Sequence, residues 1–174
     1  MKNLIRYLLI SIPLFSVPTV WAYNTNIETG VGQGEWGNTE RTYNIYTETR
    51  IGLTEHTYAY GRIEYNDHPV EGIDNEGYLG LGAQGDTGFG VEAAFNSDKF
   101  YSNLYYYKQF DFYEVKGSVY YSNDYPGKFS RTGIKTQAGL RINAILTTGV
   151  YYRVGNVTKD ITDDSYGLYM RVSL

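Results

Sequence analysis

Beyond residue 22 the chain alternates. Between Thr42 and Leu53, one set of positions holds Tyr43, Ile45, Thr47, Thr49, Ile51 and Leu53. The interleaved set holds Asn44, Tyr46, Glu48, Arg50 and Gly52. In the same way Thr132, Ile134, Thr136, Ala138 and Leu140 interleave with Gly133, Lys135, Gln137, Gly139 and Arg141. A period of two marks a strand with unlike faces, because successive side chains point to opposite sides of a sheet. No stretch after residue 22 carries a convincing helical period. The pattern predicts ten strands, at 25–34, 42–53, 57–65, 76–85, 88–96, 100–108, 112–122, 130–141, 145–154 and 165–174. The sixth is the least regular, since Tyr105, Tyr106 and Tyr107 blur its alternation.

The connections are of two kinds. Short ones fall at 54–56, 86–87, 109–111 and 142–144; longer or more polar ones fall at 35–41, 66–75, 97–99, 123–129 and 155–164. This arrangement puts both ends of a ten-stranded sheet on the short-turn side. Barrels of outer membranes keep their short turns periplasmic and their longer loops outside.

Alternation alone does not separate a soluble sandwich from a barrel in lipid, but the position of charge does. Glu28, Glu48, Glu64, Glu76, Glu92 and Glu114 share a face with Arg50, Arg62, Lys116, Arg131, Lys135, Arg141, Arg153 and Arg171. The opposite face carries Ile45, Ile51, Ile63, Leu79, Leu81, Val91, Val115, Val119, Ile134, Leu146, Val150, Leu168 and Val172. A sandwich would bury the apolar face. A barrel in lipid turns it outward, where a charge near the midplane costs about 2–4 kcal/mol.

Aromatic residues favour the barrel. On the apolar face Tyr43, Tyr65, Phe95, Tyr121, Tyr152 and Tyr166 gather toward the loops, with Phe89 and Tyr113 toward the turns. Such a two-belt girdle suits two membrane interfaces. The composition agrees, with 20 Tyr and 20 Gly against four Pro. Ten glycines (30, 32, 52, 80, 82, 90, 133, 139, 149 and 167) fall on the charged face, where they would make room in a narrow lumen. The expected fold is therefore all-β, a transmembrane antiparallel up-and-down barrel of about ten strands over residues 23–174.

The first 22 residues read as a signal peptide. Lys2 and Arg6 give a positive start, Leu8 to Val20 is apolar but broken by Pro13 and Pro18, and Val20-Trp21-Ala22 offers a cleavage site. Its removal from a chain of 174 leaves 152 residues, enough for one domain. The 15 basic residues then become 13 against 19 acidic, a net charge of −6 that gives no sign of a nucleic-acid partner, and none is expected. There is no cysteine, so no disulfide and no Cys-based zinc site. Nothing calls for a cofactor or a metal. The expected location is the outer membrane of a Gram-negative cell.

Charge along the lumen face is segregated. Glu28, Glu48, Glu64, Glu76 and Glu92 belong to the first five segments, with Arg50 and Arg62; Lys116, Arg131, Lys135, Arg141, Arg153 and Arg171 belong to the last four, with Glu114. Closed into a barrel, an acidic wall would face a basic wall. Such a transverse field orients polar solutes in a porin, and the inward glycines favour a narrow channel for small polar or charged solutes. The alternative is a salt-bridged plug, because a barrel of about eight strands is just filled by its side chains. The protein would then be a structural or adhesive barrel acting through its acidic loops.

The last segment, Ser165 to Leu174, has apolar residues at every second position from its end and resembles the strand that outer-membrane proteins present to their insertion machinery, with Leu174 in place of the usual Phe. Val154-Gly155-Asn156-Val157, a Thr/Asp-rich loop and the ending Met170-Arg171-Val172-Ser173-Leu174 resemble the C-terminal hairpin of the monomeric oligogalacturonate-specific porins. That resemblance covers about 20 residues. It implies a slender barrel with a basic lining that passes acidic sugars. Its family has twelve strands, two more than the pattern here. The loops carry ten acidic residues against Arg41, Lys99, Lys128 and Lys159, a rim that repels polyanions and suits lipopolysaccharide bridged by divalent ions.

Catalysis has little to stand on. His56 falls at a turn; His68 lies beside Asp67 in an outer loop, with Asp163 and Asp164 in another. Omptin-type proteases place acids and a histidine at such a rim, but on taller strands. No Gly-x-Ser-x-Gly elbow is present. The chain is expected not to be an enzyme, and its partners to be membrane lipid, lipopolysaccharide, the insertion machinery and a small polar solute.

Overall fold

The alternating segments form ten antiparallel strands in the computed structural model, which describes residues 24–174 except 37–39, 69–71, 98, 125–129 and 156–162. The signal peptide expected at 1–22 lies outside the described residues. The strands are β1 (Thr25–Trp36), β2 (Glu40–Gly52), β3 (Thr57–His68), β4 (Gly72–Gln84), β5 (Phe89–Phe95), β6 (Lys99–Gln109), β7 (Tyr113–Asp124), β8 (Ser130–Arg141), β9 (Leu146–Gly155) and β10 (Asp163–Ser173). Each pairs with the next, and β1 pairs with β10 to close the barrel. Glu28 lies opposite Arg171 in that closing ladder, and Val31 opposite Leu168. Thr25 and Leu174 exchange backbone hydrogen bonds of 3.1 and 2.8 Å at its end. Closure leaves no unpaired sheet edge, the condition for backbone to sit in hydrocarbon.

All ten segments are strands in the expected order. The ends differ on the loop side, where pairing runs further than the hydrophobic pattern did. The β1–β2 ladder continues to Trp36 opposite Glu40, and the β3–β4 ladder to His68 opposite Gly72. The spans 35–41 and 66–75, expected as loops, are thus largely paired strand. Their residues are polar because a ladder that rises beyond the lipid no longer needs an apolar face. The sixth segment is regular along its whole length, from Lys99 opposite Asp124 to Gln109 opposite Glu114. Tyr101 and Tyr105 point inward and Leu104 outward. Tyrosine serves both faces of this barrel, which is why it blurred the pattern.

The turns are fixed locally. Gly88 has φ of +91°, a conformation that favours glycine, and its N–H donates to Gly85 O at 2.9 Å. Asn143 Oδ1 accepts from the backbone of Ile145 and Leu146, both at 2.8 Å.

The outer surface is apolar. Leu79 is 75% exposed, and Leu81, Val91, Leu104, Val119, Ile134, Val150, Leu168 and Met170 are also exposed. Toward the loops Tyr43, Phe95, Tyr121, Tyr152 and Tyr166 stand exposed; toward the turns, Phe89, Phe112 and Tyr113 do. Phe95 packs on Phe100 and Phe89 on Tyr106, with ring centroids 5.0 and 4.9 Å apart. A soluble protein does not expose so continuous an apolar band; the fold is that of a membrane-spanning barrel. Charges on the outward parity stand near strand ends, Glu35, Arg41 and Asp164 toward the loops and one lysine toward the turns. Lys108 is on the outward parity of β6, close to the turn, with its ammonium 5.3 Å from the Phe110 ring centroid. A long side chain at that level reaches water beside the membrane.

Candidate functional site: the barrel interior

Glycine and tyrosine face each other across the strands of the lumen wall. In the ladders Tyr46 stands opposite Gly30, Tyr58 opposite Gly82, Tyr60 opposite Gly80 and Tyr105 opposite Gly90. Tyr120 likewise stands opposite Gly133, Tyr151 opposite Gly167 and Tyr169 opposite Gly149. At Gly30, Gly82, Gly90 and Gly133 an added Cβ would run into the opposing ring. The ring lies down over its glycine, covering backbone that would otherwise be bare. The inward glycines were expected to widen a channel; the rings occupy the space they leave.

The rings pack inward as well. Tyr46 is 1% exposed, and Tyr60, Tyr78, Tyr101, Tyr105, Tyr151 and Tyr169 are also buried. Tyr58, Tyr60, Tyr78, Ala94 and Tyr101 form one cluster, and Tyr46, Tyr151 and Tyr169 a second. Tyr46 meets Tyr151 edge-on at 5.4 Å between centroids. Several of their hydroxyls reach carboxylates, although that of Tyr60 has no partner among the described residues: Tyr46 OH donates to Glu28 at 2.9 Å, Tyr58 OH to Glu92 at 2.9 Å, and Tyr169 OH to Glu114 at 3.1 Å.

Between the rings runs a network of ion pairs. Arg171 joins Glu28 and Glu114, each at 2.6 Å. Arg62 joins Glu48 at 2.6 Å and also Glu64, which Arg153 reaches from β9 across the lumen. Arg50 joins Glu92 at 2.7 Å and Glu48 at 2.9 Å. Lys135, from β8, lies 3.6 Å from both Glu28 and Glu48, with its ammonium 3.8 Å from the Tyr46 ring centroid. Gln137 adds a cross-lumen bond of 2.7 Å to Glu28, and Tyr151 OH donates to Asn44. Near the loops, Lys99 pairs with Glu76 at 2.6 Å.

The residues expected to form two opposed walls are therefore brought together. Glu28, Glu48 and Glu64 meet Lys135, Arg153 and Arg171 directly, while Glu92 is held by Arg50 from its own half. Arg141 sits apart at the turn end, facing the carbonyls of Phe110 and Asp111 at 3.4 and 3.5 Å. Arg131 belongs to β8, opposite Ser122, and its side chain lies outside the described residues. Among the described residues of this network, five carboxylates (Glu28, Glu48, Glu64, Glu92, Glu114) face six cations (Arg50, Arg62, Lys116, Lys135, Arg153, Arg171). Lys116 is the cation that makes no ion pair within 4 Å; Glu92, Glu48 and Glu28 attract it from further off, and its ammonium rests 4.8 Å from the Tyr105 ring centroid.

Open space remains toward the turns. A vestibule of about 310 Å³ is lined among others by Asn26, Arg50, Gln84, His56, Glu55 and Asp86. Behind it, sharing Asn26, Arg50 and Gln84, lies a chamber of about 60 Å³. His56 is at the vestibule rim, 3.4 Å from Glu55 and 3.8 Å from Asp86. His68, Asp67 and Asp163 have side chains outside the described residues.

The inward tyrosines were missing from the expected site. A signal for them was present: Tyr46, Tyr58, Tyr60, Tyr105, Tyr151 and Tyr169 share the parity of the charges. Only the register reveals that most of them sit across from glycine.

No protein-family model and no curated protein sequence matches this chain. Among solved structures it is similar to the NanC porin, with 9% identity and a TM-score of 0.50 over 86% of this chain and 100% of that one. It is also similar to the translocator domain of the autotransporter NalP from Neisseria meningitidis, with 10% identity and a TM-score of 0.50 over 98% and 94%. The KdgM porin matches with 12% identity and a TM-score of 0.47 over 86% and 99%. At these identities the likeness is one of fold, that of outer-membrane β-barrels.

Proposed function

We propose that the protein works as a closed outer-membrane barrel, an anchor that presents its acidic loop-end rim, with no catalytic role. The observation that carries this reading is the filled interior. Arg153 reaches Glu64 and Lys135 reaches Glu28 and Glu48 across the lumen, and buried tyrosines fill the space around them. A small barrel that must bury charge gains most from pairing it, and here nearly every charge is paired. The rim supplies the outward chemistry. Glu35, Glu40, Asp67, Asp74, Asp124, Asp163 and Asp164 all stand at the loop ends of strands. Carboxylates so placed suit divalent ions bridging to lipopolysaccharide, or a cationic partner.

A narrow channel is the second reading, favoured by the vestibule that enters the lumen from the turn end. Planar-bilayer recording of the refolded protein separates the two. Silence across many insertions is the expected result. Steady conductance with ion selectivity would replace the anchor with a pore for small solutes.

A further inference from the structure

The chamber behind the vestibule has an unusual lining. Asn26, Arg50, Gln84, Tyr105, Tyr107, Lys116 and Arg171 surround it, three cations and no carboxylate. Lys116 is only 8% exposed, and no carboxylate or carbonyl accepts from its ammonium. Its ammonium faces the chamber and is not sealed in the packing, so what the chamber holds must supply its acceptor. Lys116 is also the surplus charge of the network, the sixth cation against five carboxylates.

The neutral groups of the lining point the same way. Asn26 Oδ1 accepts from Ser173 Oγ at 2.7 Å, which commits the oxygen and leaves the NH₂. Gln84 Oε1 accepts from Tyr105 OH at 3.1 Å, with the same consequence. Arg50 spends Nε on Glu92 and Nη2 on Glu48, leaving Nη1. Lys116 Nζ, Arg50 Nη1 and the NH₂ groups of Asn26 and Gln84 are thus donors left over at the chamber, while the Asn26 and Gln84 oxygens are engaged and Arg171 is held by Glu28 and Glu114. Such a surface is complementary to an anion, and charge-assisted bonds of this kind are the strong ones. The volume of about 60 Å³ is several times the room one water needs and too little for a sugar. The vestibule gives it a path from the turn side, which faces the periplasm in barrels of this class.

We propose that this chamber binds one small oxyanion, of phosphate or sulfate size, with Lys116 as its principal partner and Arg50, Asn26 and Gln84 as supporting donors. Occupancy balances the surplus cation and locks the turn end of the barrel. The site is independent of whether the lumen conducts, since its lining lies at the turn end of the barrel.

The test uses the refolded barrel in a maltoside detergent, free of phosphate-bearing lipid. Sodium phosphate is titrated at constant ionic strength set with sodium chloride, followed by calorimetry and by the heating midpoint of the gel-mobility shift. The expected result is saturation at one site, with the midpoint rising as phosphate fills it. Lys116→Met weakens binding by about tenfold or more, Gln84→Leu by less, and Lys108→Met, which alters an outward lysine, leaves it unchanged. Absence of saturable binding to the unaltered protein overturns the proposal, as does undiminished binding by Lys116→Met or an equal loss in Lys108→Met. If Lys116→Met does not refold, the pair Asn26→Leu and Gln84→Leu carries the same decision: weakened binding supports the site, and undiminished binding overturns it.

Discussion

Arg171 presents Nε and Nη2 to one oxygen of Glu28, at 3.0 and 2.6 Å, while its Nη1 reaches Glu114 at 2.6 Å. Arg171 and Glu28 are opposite one another in the ladder that joins the last strand to the first. The seam of the barrel is therefore fastened twice, by backbone pairing and by a side-chain lock beside it. Glu28 is 0% exposed, so this lock works without competition from water.

Removing one side of it should be expensive. Glu28→Ala leaves Arg171 with Glu114 alone and takes one of two carboxylates from Lys135; a loss of about 3–5 kcal/mol is expected for a broken buried pair. The double change Glu28→Leu with Arg171→Met should recover part of that loss, since the pair goes together and Glu114, which loses its arginine, keeps the hydroxyls of Tyr107 and Tyr169. Urea unfolding of vesicle-inserted protein measures both. A double variant as unstable as the single one would deny the lock its role.

The glycines provide a paired test. Gly82→Val pushes a branched side chain into the Tyr58 ring, whereas Gly117→Val places the same group in open space on the outer face. Gly82→Val should lower stability by about 1–3 kcal/mol through overpacking. Gly117→Val should be neutral or mildly stabilising, because a β-branched residue suits a strand and its methyls enter lipid. Unfolding midpoints that move together would mean the rings are free to move aside.

The barrel was legible in the sequence because membrane and lumen impose opposite demands on alternate residues. Val150 and Arg153, three positions apart on one strand, already declare their faces. The loop-end extensions were not legible, since residues such as Asp67 and Asp74 sit above the lipid, where parity leaves no hydrophobic trace. Nor was the use of the interior. Gly90 reads as free space until the register puts Tyr105 across from it, and register is a relation between strands that no single segment contains. The same holds for Lys116: its parity marks it as inward, but its lack of a carboxylate depends on where five other strands bring their charges.

Depth in the membrane should grade the cost of a charge. Val150 is exposed in the middle of β9, while Phe112, 77% exposed, stands at a turn. Val150→Arg should lose about 2–4 kcal/mol and Phe112→Arg about 0–1 kcal/mol. Arg153→Leu should be better tolerated than Val150→Arg, because Arg62 still holds Glu64. Folding efficiency into vesicles of defined thickness reports all three. Equal tolerance of Val150→Arg and Phe112→Arg would place the hydrocarbon band elsewhere on the wall.

The interior charges respond to neutralisation in a way that separates plug from pore. Glu48, Glu64 and Glu92 together hold Arg50, Arg62 and Arg153 and lie beside Lys135. Changing all three to Gln keeps shape and removes charge, leaving Arg50 and Arg62 in a buried, low-dielectric space without the carboxylates that hold them, while Lys135 keeps Glu28. In an open, water-filled lumen, solvent would screen the change, and its effect would appear as a shift of selectivity toward anions. In a packed lumen the effect is on folding: several stranded cations should cost more than one broken pair. The expected result is a triple variant whose folded band is lost at much lower temperature, or that does not fold. Neutralising Lys135 and Arg141 with Arg131 should do less, because Glu28 keeps Arg171 and Glu48 keeps Arg50 and Arg62, and Arg141 faces backbone carbonyls and the neutral Gln109 amide. Heat-modifiability on gels, read beside reversal potentials under a salt gradient, gives both quantities from one preparation. A triple acidic variant that folds with unchanged stability and conducts with reversed selectivity would show that water, and not the opposing side chains, solvates these carboxylates.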